Sequence, residues 1–434
     1  MKKISKLALC LVIGATTLTG FTACSDDNSD PSTETTDPKD AELAEIGKQY
    51  IDNTIYETYG QLSTETDNLF NQLYDLKADW QAGKTSEITD ERIQQICETF
   101  LKARAWYEKS EAFLYGAATD FGIDPHIDTW PLDLKGLATA LSNTDQVAAM
   151  DDYDDNDGQD PKTKENYIGD QYAGNKLGPE LLGFHGIEFI IFREGKPRTA
   201  KDLMDGEEYN GLPSQASKPS GTVTGLNEVI FATAVAGDLR NKCFQMEVSW
   251  NADAPKDHID KVESLEWPMT VNGGDSSYGQ NFLAAGQAGS TYASWRKAAE
   301  AILVAGCSNI ANEVGNTKMG TPHTGEDVNY IESPYSENSR TDFTDNIISI
   351  ENSYMGGVAE KRDESKSLHA YLQKYNPDLD TKLVAAIKDA QDKIQAIPQP
   401  FVDNYKDEKV QTAIDACNTL NTLLNDAAKW ILNN

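Results

Sequence analysis

An all-α fold of two four-helix-bundle-like halves is predicted by three features of this 434-residue sequence. From Ala41 onward, apolar residues recur at spacings near three, four or seven, the signature of amphipathic helices. No sustained two-residue alternation of the kind that builds a large sheet is present. The stretch from Asn251 to Gly289, rich in Gly, Ser, Asp and Pro, interrupts the helical pattern and divides it into two sets of about four helices. An N-terminal bundle over residues 41–250 and a C-terminal bundle over residues 251–434 follow.

The first segment has a different purpose. Lys2, Lys3 and Lys6 precede the mostly apolar run from Leu7 to Thr19, which is too short for a permanent bilayer span and reads as a secretory signal over residues 1–23. It ends in Phe21-Thr22-Ala23-Cys24, which resembles the lipobox of bacterial lipoproteins, where the Cys is acylated and becomes the mature N-terminus. Residues 24–40 then form a polar, acidic, Pro-containing tether. Lipid on Cys24 would anchor the protein to the outer membrane, periplasmic or surface-exposed, and Ser25-Asp26-Asp27 resembles a short acidic signal for surface export.

Ile46, Tyr50, Ile55, Leu62, Leu69, Leu73, Leu76 and Trp80 describe one long helix or two consecutive ones. A second helix is predicted from about Asp90 to Gly116, a third from Pro179 to Arg193 and a fourth from Thr224 to Trp250. Beyond the interruption, helices are expected over about 290–314, 342–354, 365–374, 377–397 and 407–432. Asn376 followed by Pro377 fixes one of these starts, as a cap and a first-turn proline. The segments 120–178, 194–221 and 315–341 read as long irregular loops, a length usually associated with function.

Thirty-eight Lys and Arg against 70 Asp and Glu give a charge of −32, which becomes −35 once the signal takes three Lys with it. Such a surface excludes sequence-independent nucleic-acid binding, which requires clustered cations, and disfavours recognition of acidic polysaccharides or peptides. Several catalytic motifs are also absent. Gly274-Asp275-Ser276-Ser277-Tyr278 lacks the last Gly of a nucleophile elbow, and Gly83-Lys84-Thr85 has Ala78 where a phosphate loop needs its first Gly. In the acidic run from Asp151 to Asp160, Tyr153 and Lys164 stand where a calcium loop needs ligands, so the run reads as solvated loop. Cys97, Cys243, Cys307 and Cys417 lie far apart on apolar helical stripes, the pattern of small buried hydrophobes.

One constellation carries metal-binding chemistry. In Gly183-Phe184-His185-Gly186-Ile187-Glu188, the imidazole and the carboxylate are three residues apart on one helix face and can converge on a cation. Phe184, Ile187, Phe189, Ile190, Ile191 and Phe192 make that helix apolar nearly all round, so the ionisable pair is buried and needs partners. Neither HExxH nor its inverse occurs, since Phe189 stands where the inverted motif needs His.

Gly183-x-His185-x-x-Glu188 resembles the GxHxxE motif of the imelysin family of bacterial envelope proteins. Two further segments match it: Tyr107-x-x-Ser110-Glu111-Ala112-Phe113 with Trp130-Pro131-Leu132-Asp133, and Glu332-Ser333-Pro334-Tyr335-Ser336 with Thr341-Asp342. The resemblance implies a pseudo-repeat of two helical halves with a site in the crevice between them, and a link to iron uptake. On this reading His185 and Glu188 centre a metal site, Glu111 and Glu332 add carboxylates, and Gly183, Arg104, Ser110, Asp133, Ser336 and Asp342 support them. The remaining histidines, His126, His258, His323 and His369, read as solvent-facing, with His323 a reserve ligand.

A mixed imidazole and carboxylate set suits iron or zinc, with no Cys nearby, and should lose metal as pH falls through about 6.5. The expected partners are the metal ion or an iron-bearing small ligand, the membrane through Cys24, and other envelope uptake proteins. The alternative is a metallopeptidase, with Glu188 or Glu111 as general base on a metal-bound water.

Overall fold

The computed structural model describes residues 37–151, 164, 167–206 and 223–434. The signal, Cys24, most of the tether and nearly all of the acidic run after Asp151 lie outside the described residues. Residues Pro38–Asn434 form one compact unit, and most of its buried apolar side chains belong to one contiguous core. Among the described residues the only sheet is an antiparallel pair, Phe192–Arg193 with Lys196–Pro197, in which Phe192 faces Pro197. Among the described residues, no helix is long and apolar enough to cross a membrane.

The chain enters through the Pro38–Tyr50 helix, which runs through a π-helical turn at Ile51–Tyr56 into the helix Glu57–Gln81. The long stripe read from the sequence is thus one rod with a widened turn. Thr89 caps the helix Asp90–Glu108 by accepting from the backbone of Arg92. The helix Gly225–Trp250 is buried nearly all round and packs on Glu57–Gln81, Gly169–Lys176 and Gly183–Ile191. Its polar residues, among them Asp238, Arg240, Asn241 and Glu247, are buried together with its apolar ones. In the second part of the chain, the helix Glu408–Asn433 packs on Pro377–Gln395, whose start is capped by Asn376 as expected. Asp90–Glu108 packs against Ser339–Met355, and Glu111–Phe113 against Ala301–Ser308, so elements from both sides of residue 250 meet.

Several boundaries differ from expectation. The second helix stops at Glu108 rather than Gly116, and a 3₁₀ turn at Glu111–Phe113 follows. The stretch read as a loop before Gly178 contains the helices Leu134–Ser142, Thr144–Asp151 and Gly169–Lys176. Residues 251–289 hold Lys256–Ser264 and Tyr278–Leu283, and the segment after Gly315 stays helical through Thr324. These pieces are too short to show a periodic pattern and owe their stability to packing. The four described cysteines are all buried and free, as small hydrophobes.

Candidate functional site

The helix Gly183–Ile191 is buried along its whole length. It starts at Gly183 because nothing larger fits: its φ is +64°, and a Cβ there would lie 1.7 Å from the carbonyl oxygen of Ile127. That close approach brings Asp128, the residue after Ile127, beside His185. The His185 Nε2 atom lies 3.1 Å from Asp128 Oδ1, within ion-pair range, but makes no well-formed hydrogen bond. Nδ1 is 3.5 Å from Glu188 Oε2, an oxygen that also lacks one. The other oxygen of Glu188 holds a loop in place. It accepts from the backbone N–H groups of Tyr335 (3.1 Å) and Ser336 (2.7 Å) and from Ser336 Oγ (2.7 Å). Ser333 and Glu337, on either side, adopt left-handed φ values of 48° and 56°, so the loop is bent sharply around this carboxylate.

Two cations join the remaining acids. Arg104 is 1% exposed and reaches Asp128, Glu332 and, at 2.5 Å, Glu108, with Asp342 at 3.8 Å from its Nε. The rings of Tyr107 and Phe184 lie against its guanidinium. Lys318, equally buried, places Nζ 3.0 Å from Glu332 Oε1, 3.3 Å from Glu111 Oε1 and 3.5 Å from Glu108 Oε2. Asn346 donates to Glu108 at 2.5 Å and Asn338 to Asp342 at 2.6 Å. Trp130 flanks the cluster, its ring 6.1 Å from His185 and 5.2 Å from Tyr330. Six buried carboxylates, Glu108, Glu111, Asp128, Glu188, Glu332 and Asp342, therefore face Arg104, Lys318 and one imidazole. Were all six ionised, negative charge would be in excess even with His185 protonated.

The protonation equilibria reflect that imbalance. Burial, beside Glu108, pushes Glu332 up to about 7 despite Lys318 and Arg104. Burial likewise raises Glu111 and Asp342 well above the usual carboxylate range. For Asp128 burial is outweighed by Arg104 and His185, which hold it at about 2. Burial opposes the His185 imidazolium, yet the contacts to Asp128 and Glu188 win and raise it to about 9.

The signs of these shifts predict how the metal-free protein responds to pH. A raised carboxyl favours the fold most where it is protonated, and that contribution fades as pH climbs through about 7 for Glu332. The stability from His185 is complete below its unfolded value near 6.5 and is lost as pH rises through about 9. Asp128 acts oppositely, but only below about pH 4. Calorimetry in chelator should therefore show Tm falling by a few degrees between pH 6 and 9. A flat or rising Tm would contradict this account of the cluster.

Of the residues singled out in the sequence, His185, Glu188, Glu111, Glu332, Arg104, Asp342 and Ser336 come together, and Gly183 permits their approach. Two do not join them. Asp133 is exposed and caps the helix Leu134–Ser142 through the backbone N–H of Lys135 (3.1 Å), and Ser110 donates to the carbonyl of Tyr107 (2.6 Å). Their short polar side chains satisfy local backbone groups first.

The other histidines are not solvent-facing. His126, His258 and His369 each sit 2.7 Å from a carboxylate, of Asp238, Glu247 and Asp380 respectively, and His323 contacts the Tyr405 carbonyl at 2.8 Å. The partners of His126 and His323 are 112 and 82 residues away, whereas those of His258 and His369 are each eleven residues away on a neighbouring element. Asp128, Glu108 and Lys318 were missed. The four-residue spacing of Arg104 and Glu108 was a legible ion-pair signal, whereas nothing local marks Asp128 or Lys318.

Comparison with known proteins agrees with this architecture. The family model described as Imelysin matches residues 55–427. Iron-regulated protein A of Synechococcus elongatus is 24% identical over 342 residues, covering 78% of this chain and 73% of the relative. A crystal structure from Parabacteroides distasonis ATCC 8503, assigned as an iron-regulated protein A precursor, is similar with TM-score 0.67 and 24% identity, covering 91% of this chain and 96% of that one. An imelysin-like protein from Psychrobacter arcticum 273-4 shares the fold with TM-score 0.51 and 12% identity, over 88% of this chain and 93% of its own. With a family match across most of its length and an all-α fold shared with these structures, the chain belongs to the imelysin family.

Proposed function

We propose that this protein is a cell-envelope lipoprotein, held at the outer membrane by lipid on Cys24, that binds iron or zinc, free or within a small ligand, for iron uptake. The observation that carries the reading is a buried cluster with more acid than base whose donor atoms are left over. His185 Nε2, Glu188 Oε2, Glu332 Oε2 and Asp342 Oδ2 are all buried without hydrogen-bond partners. Buried polar atoms left unpaired in this way are costly in a protein interior, and a cation that displaces the His185 proton would satisfy them. His185, Asp128 and Glu332 offer ligand atoms within 4.8 Å of one another, a nitrogen and oxygen set that fits iron or zinc. The related proteins named as iron-regulated favour iron as the cargo.

The ammonium of Lys318 engages Glu111, which is therefore not free to act as a general base, and Glu188 turns its one unpartnered oxygen toward His185 Nδ1, 3.5 Å away, as a ligand or an orienting group would. That favours binding over peptidase chemistry. Titration calorimetry of the purified protein with Zn²⁺, and with Fe²⁺ under anaerobic conditions, tests the reading. His185→Ala and Glu332→Gln should each weaken binding by about tenfold or more, roughly 1.4 kcal/mol. Because protons compete for His185, affinity should increase from pH 6 to 9. Identical isotherms for wild type and both variants would refute metal binding at this site.

A further inference from the structure

Two groups of potential ligands share Asp128. Asp128, His185 and Glu332 form the first, and Glu108, Glu111 and Asp128 form the second, with all residues buried and the ligand atoms of each group within 4.8 Å of one another. A cage of that composition has the donors for two ions, and the two nests differ in how they are filled. In the first, His185 Nε2 and Glu332 Oε2 have no hydrogen-bond partner. In the second, Lys318 Nζ lies 3.3 Å from Glu111 Oε1 and 3.5 Å from Glu108 Oε2, and reaches Glu332 Oε1 at 3.0 Å. An ammonium has three N–H donors, and these three carboxylates can use all of them.

The backbone places this side chain deliberately. Lys318 sits in the π-helical segment Val314–Met319, where the wider turn shifts the register of an otherwise α-helical run. Its Nζ lies 5.4 Å from the Trp130 ring, and the residue is 1% exposed. Burying a lysine this deeply is costly unless its charge is matched, and here the matching acids are those a metal would otherwise take.

We infer that Lys318 is a tethered cation that fills the second carboxylate nest and so restricts the cage to a single metal ion. The inference rests on the metal-binding reading above. Lys318 is then a positioning residue: it neutralises Glu111 and Glu108, repels a second ion by charge, and leaves the His185 nest as the binding position. Glu111, on this view, serves Lys318 rather than the ion.

Native mass spectrometry of the purified protein with excess Zn²⁺, repeated anaerobically with Fe²⁺, tests this directly. Wild type should carry one ion per chain and Lys318→Met two, the substitution removing the charge while keeping an unbranched side chain. Glu111→Gln, in the presence of Lys318, should still carry one ion, whereas His185→Ala should lose it. Two ions on wild type, one on a folded Lys318→Met, or loss of the ion in Glu111→Gln would each overturn the inference. Should Lys318→Met fail to fold, the wild-type count and the Glu111→Gln result decide. Absence of metal from wild type and every variant would instead overturn the underlying metal-binding reading.

Discussion

Arg104→Met is expected to destabilise the fold by about 3–5 kcal/mol, the range for removing one partner from a buried ionic network. Arg104 contacts Asp128, Glu332 and Glu108, with Asp342 also near its Nε, and all four acids are buried. Without the guanidinium, the same acids face only Lys318 and His185, and water cannot reach them to compensate. Thermal unfolding in chelator at pH 7 should show Tm lowered by roughly 5 °C or more. Excess Zn²⁺ should restore part of the loss, because a divalent ion bound only by the folded state replaces some of the missing positive charge. Arg104→Lys should lie between the two, since a point ammonium on a shorter reach cannot span acids on several elements. A Tm for Arg104→Met within about 1 °C of wild type would show that the acids are neutralised in another way.

Gly183→Ala is expected to be of similar size for a different reason. The residue has φ +64°, which costs an L-amino acid roughly 1–2 kcal/mol. The added methyl would also sit 1.7 Å from the backbone oxygen of Ile127, which cannot rotate away as a side chain would. Relieving the overlap means moving the Gly183–Ile191 helix off Ile127, and Asp128 moves with that contact. The variant should thus lose both stability, about 3 kcal/mol or more, and metal affinity. Gly122→Ala supplies the control. Its φ is +60°, but a Cβ there meets nothing within 4 Å, so only the conformational cost of about 1–2 kcal/mol should appear and metal binding should persist. Equal effects of the two substitutions would remove the steric argument for Gly183.

Elements with strong local signals were legible along the chain. The rod from Pro38 to Gln81, the Pro377–Gln395 helix with its Asn376 cap, and the Gly225–Trp250 helix all follow from spacing and capping chemistry. Short helices such as Leu134–Ser142 and Lys256–Ser264 did not stand out, because one or two turns cannot display a period and their stability comes from packing. In the candidate site, the GxHxxE spacing exposed His185 and Glu188, and the burial of that helix required that they have partners.

By itself, then, the sequence determined the helical class, the buried His and Glu pair, and the glycine that lets its helix approach Ile127. Only the tertiary structure decided which acids and cations meet that pair. Asp128, Glu332 and Lys318 arrive from a helix end, a bent loop and a π-turn, the last two far along the chain from the first. Local sequence encodes backbone conformation and the polarity of a face, whereas ion pairing here depends on distances of a few ångströms between residues from 14 to more than 200 positions apart. For the same reason Asp133, adjacent to a cis peptide bond at Trp130-Pro131 and close to the cluster in sequence, caps a helix at the surface. Lys318, with no local signal at all, sits at the centre of the acids.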